Sequence, residues 1–404
     1  AILDEDRLMQ EMVHLIEEVI VADRYVVLLK GQTNNNYYPK IIRRKDEGRS
    51  YMPLAISQNM IREVIDKGRG IIFSVNSHDQ PPHPTESMLI YGIQSAMCSP
   101  IVTKDHLFGM VYLDSFSKRD QFSEDDLRLL TAMAQQVGVA LDNVRLYEEV
   151  RVQERVKQEL QIARRIQRIQ LPSEFPEIAA LDVSFKNITA EEVGGDYYDY
   201  YWLDDHHVGV VIADVSGKGV PGALVITMFR SLLKSHVKRT AKPAKVLMEV
   251  NNLLHSDIER DAFVTAIYGV MDIHQKKFVF TRAGHVPLII LRRDGARIEQ
   301  YQPKGMMLGM SLWDNLNNLE DMEIMLYPGD AIVLYTDGII EAENTLGQQY
   351  GIDRFLETIR QTVFVDYPEA NAKTLLDHML LRVNNFIQDC SLKDDMTLGI
   401  IKIG

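Results

Sequence analysis

The sequence predicts a multidomain chain, α/β in its first part and α+β in its last, with one long helix between them. Three observations carry that reading. Up to about residue 122, helical patterns alternate with short apolar runs of strand length. From Ser123 to Gln170 there is no proline and only one glycine, Gly138. Beyond Pro172, aromatic and apolar runs are separated by polar turns in the manner of an antiparallel meander.

In the first part, the spacing of apolar residues from Leu8 to Val19 predicts a helix. Strands are expected at Tyr25 to Leu29, Ile71 to Val75, Ala96 to Val102 and Gly109 to Leu113. Gly31 to Tyr38 and Asn76 to Thr85 carry the Asn, Gly, Pro and His of turns and loops. Cys98 with His78 or His83 would be a redox or metal sensor only at ligand spacing, which the sequence does not show. A buried core cysteine and solvated loop histidines account for them.

The long helix has Ser123 as its N-cap and Glu124, Asp125 and Asp126 in its first turn, and Pro172 stops it. Leu130, Val137 and Val144, then Val152, Val156, Leu160, Ala163 and Ile166, recur at coiled-coil spacing, so pairing with a second copy is expected. Packing of the same helix back onto its own domain is the alternative. Arg151, Arg155, Lys157, Arg164, Arg165 and Arg168 among glutamates and glutamines read as a solvated face.

Four aspartates dominate the last part: Asp196 in GGDYYDYYWL, Asp214 in VGVVIADVSGKG, Asp337 in AIVLYTDGIIEAEN and Asp394 in KDDMTLGIIKI. Tyr197 to Leu203 and Val208 to Ala213 flank a polar turn, and counting outward from Asp205 sets Asp196 opposite Asp214. Asp337 ends an apolar run and Asp394 begins one, so neighbouring antiparallel strands would bring all four to one sheet edge. Facing carboxylates repel unless a cation lies between them. Oxygen-only ligation favours hard cations, Mg²⁺ or Mn²⁺, over structural zinc. Two such ions ~3.5–4 Å apart can polarise a phosphoryl group and supply hydroxide for in-line attack. Taken singly, each Asp is better explained as a cap of a strand or turn, but four together, each beside Gly or a second acid, weaken that explanation.

The segments GGDYYD at 194 to 199, ADVSGKGVPGALV at 213 to 225, FVTAIYGVMD at 263 to 272, AGHVPLII at 283 to 290, PGDAIVLYTDGIIEAEN at 328 to 344 and DDMTL at 394 to 398 lie in one order. In that order they resemble the SpoIIE/RsbU-type branch of the metal-dependent protein phosphatases, the PPM or protein phosphatase 2C superfamily. The resemblance implies a β-sandwich flanked by helices and two Mn²⁺ or Mg²⁺ ions on Asp196, Asp214, Asp337 and Asp394, with the carbonyl of Val215 as a further ligand. It also implies a phosphoserine or phosphothreonine protein as substrate, in this branch often a STAS-type anti-anti-sigma factor. Eukaryotic members dock the phosphate with an arginine that has no match here, which leaves phosphate docking unassigned. The first part, above all SAMCSPIVTKDHLFGMVYLDS and FSEDDLRLLTAMAQQVGVALDNVRLYEE, resembles a GAF domain with an unknown ligand. The divisions expected are a sensor over 1–149, a helical linker over 150–171 and a phosphatase domain over 172–404.

Asp199, Gly338 and Asp395 are expected to support the ligands, and Asp395 could exchange roles with Asp394. His285 is either a proton shuttle or a hydrogen-bonded core residue. The 18 methionines read as core and loop filling, and 304 to 322 as a surface flap near Trp313. GKGVPG, holding Gly217, Gly219 and Gly222, matches GxGxxG, so a dinucleotide enzyme is a rival, as is a diguanylate cyclase through the GGD of GGDYYD. A phosphatase-like scaffold without catalysis is another, and the loss of a metal aspartate would favour it. A net charge of -13 argues against nucleic-acid and anionic-membrane surfaces. Two cysteines, Cys98 and Cys390, and no apolar run of spanning length suggest a reducing cytosol. Ala1 in place of Met suggests a fragment of a longer parent. The expectation is a cytoplasmic, dimeric signalling phosphatase.

Overall fold

The computed structural model describes residues 5–404 except 32–35, 46–55, 75–91, 119–120, 173–174, 176–177, 179, 241 and 313–317. Two compact units divide the chain, Ala1–Arg155 and Val156–Gly404.

In the first unit, β1 (Arg24–Lys30), β2 (Tyr37–Arg44), β3 (Ile71–Ser74), β4 (Ser95–Val102) and β5 (Leu107–Ser115) form an antiparallel sheet in the order β2-β1-β5-β4-β3. Alternate residues of the central strands feed two cores. Val27, Leu29, Met97, Val111 and Leu113 pack with α1 (Glu5–Val19) and the start of the long helix α3 (Glu124–Gln170). Val26, Leu28, Cys98, Met110 and Tyr112 pack with Met60, Ile61 and Val64 of α2 (Gln58–Lys67). Cys98 is therefore a core residue, and burial holds its thiol well above the ordinary range. His78 and His83 lie outside the described residues. The strand at Tyr37–Arg44 corrects the expectation of a loop reaching Tyr38. It is an edge strand, which tolerates Pro39 and charged, exposed side chains that a central strand would exclude.

The helix α3 runs unbroken from Glu124 to Gln170. The Ser123 hydroxyl accepts from the Asp126 amide at 3.2 Å while the Asp126 carboxylate accepts from the Ser123 amide at 2.8 Å, a reciprocal cap. Leu130, Ala134 and Leu141 are buried in the first unit's core. Gly138 lies so close to β4 that a Cβ there would come within 2.9 Å of the Val102 carbonyl oxygen. The first half thus folds back onto its own domain, whereas Val152, Val156 and Ile166 are at least half exposed.

The second unit is a sandwich of two antiparallel five-stranded sheets with helices outside. One sheet has the order β13-β10-β9-β8-β7 and the other β12-β11-β14-β15-β6. Their strands are β6 (Leu181–Ile188), β7 (Tyr197–Trp202), β8 (His207–Val215), β9 (Val264–Asp272), β10 (Lys277–Ala283), β11 (Leu288–Arg292), β12 (Arg297–Tyr301), β13 (Asp321–Met325), β14 (Ala331–Tyr335) and β15 (Met396–Ile403). Strand periodicity sorts the side chains. Val208, Val210 and Ile212 of β8 meet Ile332 and Leu334 of β14 and Ile401 of β15 between the sheets. Val211, Ala213 and Val215 face α4 (Gly219–His236) and α5 (Pro243–Asp257) on the other side. Val333 and Tyr335 face α7 (Ile352–Arg360) and α8 (Ala372–Ile387). Each buried aliphatic side chain contributes about 1.5–3 kcal/mol, so the alternation fixes which end of each strand carries polar residues. Among the described residues, no helix is long and apolar enough to cross a membrane.

Candidate functional site

The β7–β8 hairpin pairs Trp202 with Val208 and Tyr197 with Ala213. One step further out, Asp196 stands opposite Asp214, as the count from Asp205 predicts. Asp204 closes the turn by accepting from the amides of His206 and His207, both at 2.9 Å. Asp337 stands at the N-terminus of the short helix α6 (Gly338–Glu341) just past β14, with no side-chain capping bond, and Asp394 stands just before β15. Because β14 and β15 are antiparallel neighbours, with Tyr335 opposite Leu398, those two residues share one end. The expectation of a single sheet edge needs correcting. Asp196 and Asp214 belong to one sheet and Asp337 and Asp394 to the other, so the carboxylates gather at one end of the sandwich.

Their negative charges act on one another there. Burial, followed by the negative charges of Asp337, Asp394 and Asp395, pushes Asp214 up to about 8. Burial and Asp214 hold Asp196 well above the carboxylate range, and burial and Asp394 raise Asp337. Carboxylates in such a field ionise together only when cations offset them. The donors are oxygens alone, with no His or Cys among them, a set that fits Mg²⁺ or Mn²⁺. Among the described residues, no three His, Cys, Asp or Glu side chains stand close enough together to hold an ion. Asp196 Oδ2 accepts from Thr336 at 2.8 Å and Thr397 at 2.6 Å, and Asp394 Oδ2 lies 3.2 Å from Lys218 Nζ.

The supporting residues divide by what they touch. Asp395 accepts from the amides of Ala190 at 2.8 Å and Gly195 at 2.6 Å, anchoring the loop that carries Asp196. A Cβ at Gly194 would come within 2.3 Å of the Asp395 carboxylate, and one at Gly338 within 2.0 Å of the Asp395 carbonyl oxygen. Glycine at both places is thus a matter of close approach. The Val215 carbonyl oxygen borders Gly195, where a Cβ would lie 3.3 Å from it. Asp199 accepts from the Tyr197 hydroxyl at 2.6 Å and the Tyr200 amide at 2.8 Å, and lies 3.8 Å from Arg230. His285 is 3% exposed, with Nε2 3.0 Å from the Tyr335 carbonyl and Nδ1 2.8 Å from the Thr265 hydroxyl. The carbonyl can only accept, so Nε2 carries the hydrogen and Thr265 donates to Nδ1. Burial depresses this histidine to about 4, and of its two readings the hydrogen-bonded core residue is the one found.

The GKGVPG turn follows β8, whose neighbours β7 and β9 are both antiparallel. A dinucleotide fold would need parallel strands there, so that rival falls. Gly217 and Gly219 have φ of 103° and 69°, values that favour glycine, and their turn brings Lys218 to Asp394. Sequence reasoning missed Lys218, Thr336 and Thr397. The signal to be had was adjacency, since Thr336 precedes Asp337 and Thr397 follows the paired acids in DDMT. In the segment 304 to 322, the Met306 amide bonds Asn318 O at 3.1 Å and Leu308 pairs with Val264, so the ends are pinned. Trp313 lies outside the described residues.

Residues 204–404 match the family described as Stage II sporulation protein E (SpoIIE), and residues 4–141 match the GAF domain. The chain carries a SpoIIE domain behind a GAF domain. The SpoIIE match begins after Asp196, so the hairpin register is what ties that residue to the others. The chain is 27% identical over 251 residues to phosphoserine phosphatase RsbU of Bacillus subtilis (strain 168), covering 62% of this chain and 72% of that protein. It is 30% identical over 194 residues to phosphoserine phosphatase RsbP of the same organism, covering 46% of each. Among solved structures, the SiaA-PP2C domain of Pseudomonas aeruginosa superposes with a TM-score of 0.54 at 20% identity, over 63% of this chain and 98% of that one. That likeness supports the PP2C-type fold of the second unit.

Proposed function

We propose that this chain is a metal-dependent serine/threonine protein phosphatase acting on a bacterial signalling phosphoprotein, under the control of its GAF unit. The observation that carries the reading is the gathering of Asp196, Asp214, Asp337 and Asp394 at one end of the sandwich, with Asp214 raised to about 8 by burial and its neighbours. All four aspartates are present, which disfavours a scaffold without catalysis. Relatives named phosphoserine phosphatases support the substrate class.

The four aspartates, with the Val215 carbonyl, would hold two Mn²⁺ or Mg²⁺ ions. Such ions, when bound, polarise the phosphoryl group and acidify water. The chain does the rest. Thr336 and Thr397 orient Asp196, Asp395 fixes the Gly194–Gly195 loop, and Lys218 brings a positive charge to the mouth of the site. Among the described residues no cysteine, serine or histidine is paired with a base as a nucleophile at these aspartates, so in this reading hydrolysis proceeds without a phospho-enzyme.

The preferred substrate in this proposal is a STAS-type anti-anti-sigma factor, and the setting is the cytoplasm. The working division is sensor 1–149, linker 150–171 and phosphatase 172–404, dimeric through the linker. The test is phosphate release from a panel of phosphoserine STAS proteins with and without Mn²⁺. Release from at least one, only with the ion, is expected. Failure on every member while a phosphoserine peptide is hydrolysed would reject the STAS assignment.

A further inference from the structure

A cleft of about 530 Å³ borders Asp196. One wall is the last two turns of α3, with Arg164, Gln167 and Arg168; the other is β6, with Lys186, and Thr189 just beyond it. Gln167 is committed to structure, since its side chain bonds both the amide and the carbonyl of Gly194. Lys186 is shared with Asp377 at 3.1 Å. The arginines are different. Arg164 touches only the edge of Thr189, at 3.4 Å, and Arg168 has no ion-pair or hydrogen-bond partner among the described residues. They stand four residues apart, so one helix face presents both guanidinium groups. Both also line a second cleft, together with Arg165 and Ile169.

The local sequence sets this face apart from the rest of the helix. From Glu148 to Glu159 the basic residues alternate with four glutamates, the pattern of a self-neutralised solvated face. From Leu160 to Pro172 there are three arginines and no acid, in a chain whose net charge is -13. A positive stretch without counter-charges, at the entrance to a carboxylate-lined site, complements an anion arriving from outside. Asp196 is only 4% exposed, so the arginines stand at the opening of the cleft and not at its floor. The volume suits several residues of polypeptide rather than a phosphate alone.

We propose that Arg164 and Arg168 dock an acidic segment flanking the phosphoserine of the substrate protein, in the cleft between the end of α3 and β6. The proposal rests on the phosphatase reading and adds to it a rule of substrate selection. Guanidinium groups suit the task because each can grip a carboxylate with two parallel hydrogen bonds.

Three phosphoserine peptides test it, identical except that the residues on both sides of the phosphoserine are acidic, neutral or basic. With Mn²⁺ present, kcat/KM of the parent protein should be about tenfold higher for the acidic than for the basic peptide, mainly through KM. The preference should fade between about 50 and about 300 mM salt. Charge reversal, Arg164→Glu with Arg168→Glu, should invert the order, so that the basic peptide becomes the best of the three. The milder Arg168→Gln should narrow the preference and covers the case in which the double variant fails to fold. Equal kcat/KM for the three peptides in the parent, or an acidic preference that survives either variant unchanged, would overturn docking while leaving the phosphatase intact. A parent inert on all three overturns the phosphatase reading, and docking with it.

Discussion

His285 shows how a single side chain changes meaning once its neighbours are known. In the sequence it sits in AGHVP beside candidate catalytic residues, which suits a proton shuttle as well as a core residue. Its two bonds, to the Tyr335 carbonyl and the Thr265 hydroxyl, instead tie β10 and its following turn to β14 and β9. With its pKa depressed to about 4 from the usual ~6.5, it stays neutral in the folded protein where the unfolded chain would bind a proton. Its stabilising contribution is therefore present above about pH 6.5 and is lost as pH falls towards 4. In a proton NMR titration, the ring resonance lost in His285→Gln should stay at its neutral position down to about pH 5. A midpoint near 6.5 for that resonance would remove the core assignment. Asp395 makes the same point for the acids. Adjacency in KDD left its role exchangeable with Asp394, and only the bonds to Ala190 and Gly195 separate them.

Among elements, those with strong periodicity were legible and those at edges were not. The β7–β8 register followed from a turn and two apolar runs, because a slip of one residue would turn the buried faces outward. The edge strand Tyr37–Arg44 escaped notice because its exposed, charged and proline-bearing sequence carries no alternation of burial. The long helix was legible from its cap, acidic first turn and missing prolines. Its seam was legible only in part. Leu130 is buried against the first unit's sheet, whereas Val152 and Val156 remain exposed and free to pair. If a second copy covers them, the helix sets the rotational phase between sensor and phosphatase. Inserting two residues after Arg155 turns the downstream half of the helix by ~200°, and inserting seven nearly keeps the heptad phase. The two-residue insertion should lock activity high or low, and the seven-residue insertion should keep regulation. If both behave like the parent, and sedimentation at micromolar concentration shows a monomer, the helix is a passive tether.

At the scale of the whole molecule, the carboxylate-bearing end of the sandwich arises from topology. Two sheets, each placing two aspartates at one end of neighbouring strands, bring together residues as far apart in the chain as Asp196 and Asp394. Sequence alone could pair Asp196 with Asp214 and align Asp337 with Asp394. The joining of these pairs across the sandwich depends on side chains such as Val210, Ile212, Leu334 and Ile401 filling the space between the sheets. That packing has no local signature, which is why the four aspartates read as sharing a single edge. The threonines and Lys218 were hidden for the same reason, since their partners lie on other strands and turns. The most direct test of the account is p-nitrophenyl phosphate turnover by the purified chain after chelation, then after Mn²⁺ is returned, with Asp214→Asn and Asp337→Asn in parallel. Turnover should vanish on chelation and return with the ion. It should stay absent in both folded variants, with no phospho-enzyme trapped on quenching. Full turnover by metal-free protein, or variants within about twofold of the parent, would contradict a site built on these carboxylates.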